Sequence, residues 1–150
     1  MKHKKRLIAV VGVLTMLFGG VAQVNAAETN YIDFKFQIKA NQGNSFSKSR
    51  ERSTKNPKCA WMVDFRNSTE SKNGTKCITR FWLEKDLSIG IDYQVSDDAD
   101  VKEGSGTHFY KSTKDGVQCD VQLGAENNNY TATTYEAIGY WDEETAKILK

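Results

Sequence analysis

Proline is nearly absent from this 150-residue chain, with Pro57 its sole example, and histidine and cysteine are sparse at two and three residues. The shortage of histidine narrows the catalytic options, because Ser-His-Asp and Cys-His mechanisms need an imidazole base. Beyond His3 the chain offers only His108, within Gly106-Thr107-His108-Phe109-Tyr110, where it reads as a strand or strand-edge residue. There is no Gly-x-Ser-x-Gly elbow, no His-Glu-x-x-His helix and no Cys-x-x-Cys pair, which removes the usual signatures of a serine hydrolase, a zinc protease and a redox or zinc-knuckle motif. Charge of one sign is also lacking. With 21 basic against 19 acidic residues, the chain has no sustained cationic excess of the kind that binds nucleic acid by counterion release. Nor is there an apolar run of the roughly 20 residues that span a bilayer.

The longest apolar stretch, residues 7–18, follows the basic Met-Lys-His-Lys-Lys-Arg start and precedes Val24-Asn25-Ala26-Ala27. Basic, apolar and small-residue regions in that order predict a cleavable signal peptide over residues 1–26 and an exported domain over residues 27–150. Cleavage would take four basic residues (Lys2, Lys4, Lys5, Arg6) and no acid, leaving 17 basic against 19 acidic residues. The expected product is near-neutral, secreted, without a membrane span, and held at a cell surface, if at all, by non-covalent contacts. Its 124 residues suit one domain with one modest core.

What is present is alternation. Tyr31-Ile32-Asp33-Phe34-Lys35-Phe36-Gln37-Ile38-Lys39 puts Ile32, Phe34, Phe36 and Ile38 on one side and polar groups on the other, the pattern of a half-buried strand. Further strands are expected over residues 60–66, 78–84, 89–95, 107–111, 117–124 and 131–141, separated by polar turns. Asn73-Gly74 suits a type I′ reversal joining the second and third strands as a hairpin. Residues 40–58 read as a long basic surface loop or an irregular edge strand around Phe46. About seven short strands predict an all-β fold, an antiparallel sandwich or barrel, and Asp142 as N-cap predicts a short C-terminal helical turn.

Export makes a disulfide among Cys59, Cys77 and Cys119 plausible. In the expected hairpin Cys77 lies close to the turn and Cys59 at the far end of its strand, a poor match to disulfide geometry. Cys59 and Cys119 each share the parity of apolar neighbours, so a Cys59–Cys119 bridge is the preferred pairing. The alternative is three reduced, buried thiols.

Asp97, Asp98 and Asp100, with Glu103, form the densest acidic turn and are candidate oxygen ligands for calcium, although the spacing is not that of an EF-hand. Otherwise no metal and no cofactor is expected. Among the aromatics, Tyr130, Tyr140 and Trp141 are candidate binding residues, since Tyr and Trp offer flat apolar faces with a polar edge; Trp61 and Trp82 are assigned to the core. Three Asn-x-Ser/Thr matches, at Asn67, Asn73 and Asn129, carry no weight beside a bacterial-looking signal.

The stretches Phe34-Lys35-Phe36-Gln37-Ile38-Lys39-Ala40, Phe81-Trp82-Leu83, Ala125-Glu126-Asn127-Asn128-Asn129-Tyr130 and Gly139-Tyr140-Trp141-Asp142-Glu143-Glu144-Thr145 resemble a family of small secreted proteins of Gram-positive bacteria classed as a domain of unknown function. The resemblance implies export and a compact domain, and supplies no catalytic residues. The resulting expectation is a non-enzymatic secreted binding protein for a cell-envelope polysaccharide or protein. Two rivals remain: a bacteriocin-like antimicrobial or signalling protein, and a hydrolase using two carboxylates.

Overall fold

The computed structural model describes residues 30–71, 76–87, 90 and 93–150. The expected signal segment and the Asn73-Gly74 reversal therefore lie outside the described residues. The described chain is all-β and antiparallel, with ten strands: β1 (Ile32–Ile38), β2 (Ser45–Phe46), β3 (Arg50–Arg52), β4 (Trp61–Ser68), β5 (Ile78–Lys85), β6 (Tyr93–Gln94), β7 (Ala99–Lys102), β8 (Thr107–Tyr110), β9 (Cys119–Asn127) and β10 (Tyr135–Asp142). They form two sheets. The first runs β1-β10-β4-β8; the second runs β2-β9-β5-β6, with β3 also on β9 and β7 also on β5.

The sandwich follows from parity. In β1 the even-numbered residues Phe34, Phe36 and Ile38 are buried and the odd-numbered ones exposed. They meet the inward residues of β5 and β9, with Phe34 and Phe65 each packed on Phe81 at ring separations of 5.5 and 5.8 Å. Trp61 and Trp141 are fully buried in the same core, beside Val63, Leu83, Val121 and Leu123. Side chains of this size each contribute about 2–3 kcal/mol on burial, which offsets the modest size of the domain.

Several expectations are corrected. β4 and β5 are not a hairpin: they lie in different sheets, because each carries an inward apolar row that faces the other across the core instead of lying beside it. The argument against a Cys59–Cys77 bridge falls with that hairpin. The C-terminal helical turn is absent. Residues 143–150 run alongside residues 58–60 instead, pinned by Thr145 N–H to Ala60 O (2.7 Å), Ala60 N–H to Lys147 O (2.8 Å) and Leu149 N–H to Lys58 O (2.9 Å); these bonds use backbone groups that a helix would turn upon itself. The loop over residues 40–58 contains β2, at Phe46 as the edge-strand alternative has it, and also β3. The acidic turn contains β7. Trp82 is buried, but on the outer face of the second sheet, over Gly124 and edge-on to Phe46 at 6.1 Å.

The basic cluster of residues 48–58 is dismantled by the fold. Arg52 is fully buried, and its guanidinium donates to Gly116 O (2.7 Å), Cys59 O (2.5 Å) and Glu143 O. It thereby ties β3, the segment just before β4 and the C-terminal segment together, and burial pulls its pKa down. Arg50 is ion-paired to Glu143 at 2.6 Å and lies 5.5 Å over the Trp141 ring.

Candidate binding cleft on the outer face of one sheet

The β1-β10-β4-β8 sheet carries one cross-strand row of outward residues. Asp33 on β1 stands opposite Tyr140 on β10, Tyr140 opposite Asp64 on β4, and Asp64 opposite Thr107 on β8. Neighbouring strands lie about 4.8 Å apart, so the row sets two carboxylates on either side of one phenol ring. Tyr31, Met62 and Arg66 complete a cleft of about 590 Å³ around it.

Within the cleft, Arg66 Nε and Nη2 donate to Asp64 Oδ2 at 3.2 and 3.1 Å, and the Arg66 guanidinium carbon lies 4.2 Å from the Tyr140 ring centroid. Such a contact is worth about 0.5–1 kcal/mol at an exposed site, so a ligand ring can compete for the tyrosine face. Asp33 and Tyr31 are exposed. The arrangement offers a flat aromatic face, two carboxylate acceptors, a guanidinium donor and a hydroxyl in one concave surface, the donor and acceptor mix that hydroxyl-rich ligands require.

A bulge shapes this row. The register between β10 and β4 shifts at Ile138/Gly139, and at Gly139 the two backbones approach so closely that a Cβ would lie 2.0 Å from Asp64 O. That approach fixes Tyr140 beside Asp64.

The three aromatics singled out by sequence are not brought together. Tyr140 lines the cleft. Trp141, its neighbour on the opposite face of the strand, is fully buried, and its indole N–H has no partner among the described residues. Tyr130 stands 74% exposed in the loop after β9 and does not line the cleft. Sequence reasoning missed Asp33, Asp64, Arg66 and Thr107; the outward parity of β1 was visible, but the strand order that aligns them was not.

The acidic turn holds an ion-pair cluster. Arg80 Nε lies 2.9 Å from Asp100 Oδ1 and 3.8 Å from Asp98, and its Nη1 lies 3.2 Å from Glu126 Oε1; a cation already sits among these carboxylates. No group of three His, Cys, Asp or Glu side chains among the described residues is placed to hold a metal ion.

The cysteines are free thiols; the bridge expected between Cys59 and Cys119 is not formed. Cys59 Sγ is 2.9 Å from Thr145 O and Cys119 Sγ 3.6 Å from Asp115 O. Cys77 donates to Glu70 at 2.9 Å, and burial, aided by that carboxylate, pushes its pKa up. His108 occupies the edge strand β8, 2.7 Å from Ser105 Oγ.

Fold and cleft define a small antiparallel β-sandwich with a polar, tyrosine-centred groove on one face. The chain belongs to the family described as protein of unknown function (DUF2712), whose model matches residues 22–145. No curated protein and no solved structure matches it.

Proposed function

We propose that this protein is a non-enzymatic exported binding protein that holds a cell-envelope polysaccharide in the cleft of its first sheet. The observation that carries the reading is the row Asp33, Tyr140, Asp64, Thr107 with Arg66 stacked on the tyrosine. A sugar ring takes the Tyr140 face when Arg66 swings aside. The carboxylates accept from its hydroxyls, and Thr107 and Arg66 donate to its oxygens. The signal-like residues 1–26 support export, and the near-neutral composition after cleavage suits a target recognised by hydroxyl bonding and not by bulk charge.

The test is retention of the purified protein on envelope polysaccharides, compared with a Tyr140→Ala variant of equal thermal stability. Losing a stacked ring of this kind removes about 1 kcal/mol, or roughly five-fold in affinity. Equal retention of both forms, or of neither, would remove the cleft from the reading. Appearance of new reducing ends in the same incubations would shift it to a hydrolase working through Asp33 and Asp64.

A further inference from the structure

The edge of the first sheet carries a second inference, independent of the cleft's ligand. β1 is an outer strand, paired to β10 on one side only. Which of its backbone groups face outward follows from its neighbours. Glu136 on β10 accepts from Thr69 N–H at its C=O and donates its N–H to Thr69 Oγ1, both on the β4 side, so Gln37, which stands opposite Glu136, is not hydrogen-bonded to β10. Gln37 O indeed points outward, accepting from Ser45 Oγ at 2.8 Å. The β1–β10 register is uninterrupted, so Lys35 and Asp33 likewise direct their N–H and C=O away from the sheet. Beside them runs a groove of about 400 Å³ lined by Phe34, Phe36, Phe46, Lys48 and Trp141.

We propose that this edge pairs with β1 of a second copy of the chain, antiparallel, about a two-fold axis at Phe34. The argument is register and charge. A two-fold axis at Asp33 puts Asp33 opposite Asp33, and one at Lys35 puts Lys35 opposite Lys35; directly opposed like charges are destabilising. With the axis at Phe34, Asp33 of each copy faces Lys35 of the other. Both residues direct their backbone groups outward, so these two pairs are also the hydrogen-bonded pairs of an antiparallel ladder. Both side chains are exposed on the same face, and the isologous contact closes on itself. It joins two four-stranded sheets into one and brings Lys35 of one copy beside Asp33 in the other copy's cleft. A charged residue on an exposed edge ordinarily discourages pairing. Here the Asp-x-Lys spacing disfavours the neighbouring two-fold registers and favours the one about Phe34.

Sedimentation velocity over a micromolar to millimolar series tests this. A monomer–dimer equilibrium is expected. Asp33→Lys and Lys35→Asp should each weaken it about ten-fold, because each converts two opposed pairs into like-charge pairs. The double exchange D33K/K35D should restore it to within about three-fold of the unmodified protein. Lys35 is also 2.9 Å from Glu136, so thermal unfolding is measured on every variant, and restoration by the double exchange separates pairing from local destabilisation. Amide exchange at Asp33 and Lys35 should slow as concentration rises. A chain monomeric throughout the series overturns the proposal, as does a dimer indifferent to the single reversals. So does edge protection that appears only when an envelope extract is added and not when the protein is concentrated.

Discussion

Gly139→Ala tests the fold and the cleft together. Gly139 stands opposite Phe34 on β1 and Phe65 on β4, beside the register shift. An added Cβ would lie 2.0 Å from Asp64 O and 2.6 Å from Phe34 Cζ, whereas carbon–oxygen contacts between strands normally run at about 3.3–3.6 Å. The methyl group therefore displaces β4 from β10 by more than about 1 Å, at an overpacking cost of about 1–3 kcal/mol and with at least one ladder bond stretched, about 1 kcal/mol more. Alanine's smaller unfolded-state entropy returns only about 0.5–1 kcal/mol. The net expectation is destabilisation of about 2–3 kcal/mol, a fall in Tm of roughly 10 °C for a domain of this size.

Thermal unfolding followed by circular dichroism, with a urea series to confirm an unchanged m value, measures it. Gly104→Ala is the comparison: there a Cβ meets nothing within 4 Å, but φ is +70°, so only conformational strain of about 1 kcal/mol is expected. A Gly139→Ala variant as stable as the parent, or one no worse than Gly104→Ala, would refute the close approach of β10 to β4 and with it the alignment of Tyr140 beside Asp64.

Three further outcomes are expected. Arg52→Met leaves the carbonyls of Gly116, Cys59 and Glu143 without their buried donor and should lower stability by about 3–5 kcal/mol, read as a shift in urea midpoint. Burial raises the pKa of Asp142 and of Glu143; the folded chain then binds protons more tightly than the unfolded one, so these groups' contribution to stability is fully present below the ordinary carboxylate values and is lost as pH rises through the raised ones. Tm measured from neutral to mildly acidic pH should carry that increment, and Asp142→Asn should reduce it; an unchanged slope in the variant would contradict the assignment. Thiol titration should find Cys59 and Cys77 protected in the native protein, Cys119 slowly reactive, and three thiols after unfolding; one thiol after unfolding would mean that two of the cysteines are joined.

The sequence carried the strands better than their neighbours. The alternation of Ile32, Phe34, Phe36 and Ile38 reads directly as β1, because burial on one face selects parity and parity is local. Whether β4 lies beside β5 or across from it is not local, since an inward apolar row looks the same in either case; only packing against β10 and β8 decides it. The arginines of the 48–58 segment show the same limit. Residue type alone marks Arg50 and Arg52 as solvated, yet the C-terminal segment presents Glu143 and its backbone oxygen to them, and both turn inward. The short helical turn that Asp142 as N-cap predicts would instead have turned those acceptors upon the segment itself.

The candidate site was half legible for a related reason. Tyr140 and Trp141 are adjacent in sequence, and a strand must send them to opposite faces; composition cannot say which is outward. The core decides, by taking the larger ring and leaving Tyr140 with Asp64 and Arg66. Several charges elsewhere are internally paired: Arg80 with Asp100 and Glu126, Arg50 with Glu143, Lys35 with Glu136. Asp33, exposed on β1, borders the cleft through its side chain and the outer sheet edge through its backbone. A single strand thus borders both cleft and edge, and in the proposed two-fold arrangement about Phe34 a ligand in one cleft would lie next to Lys35 of the other copy.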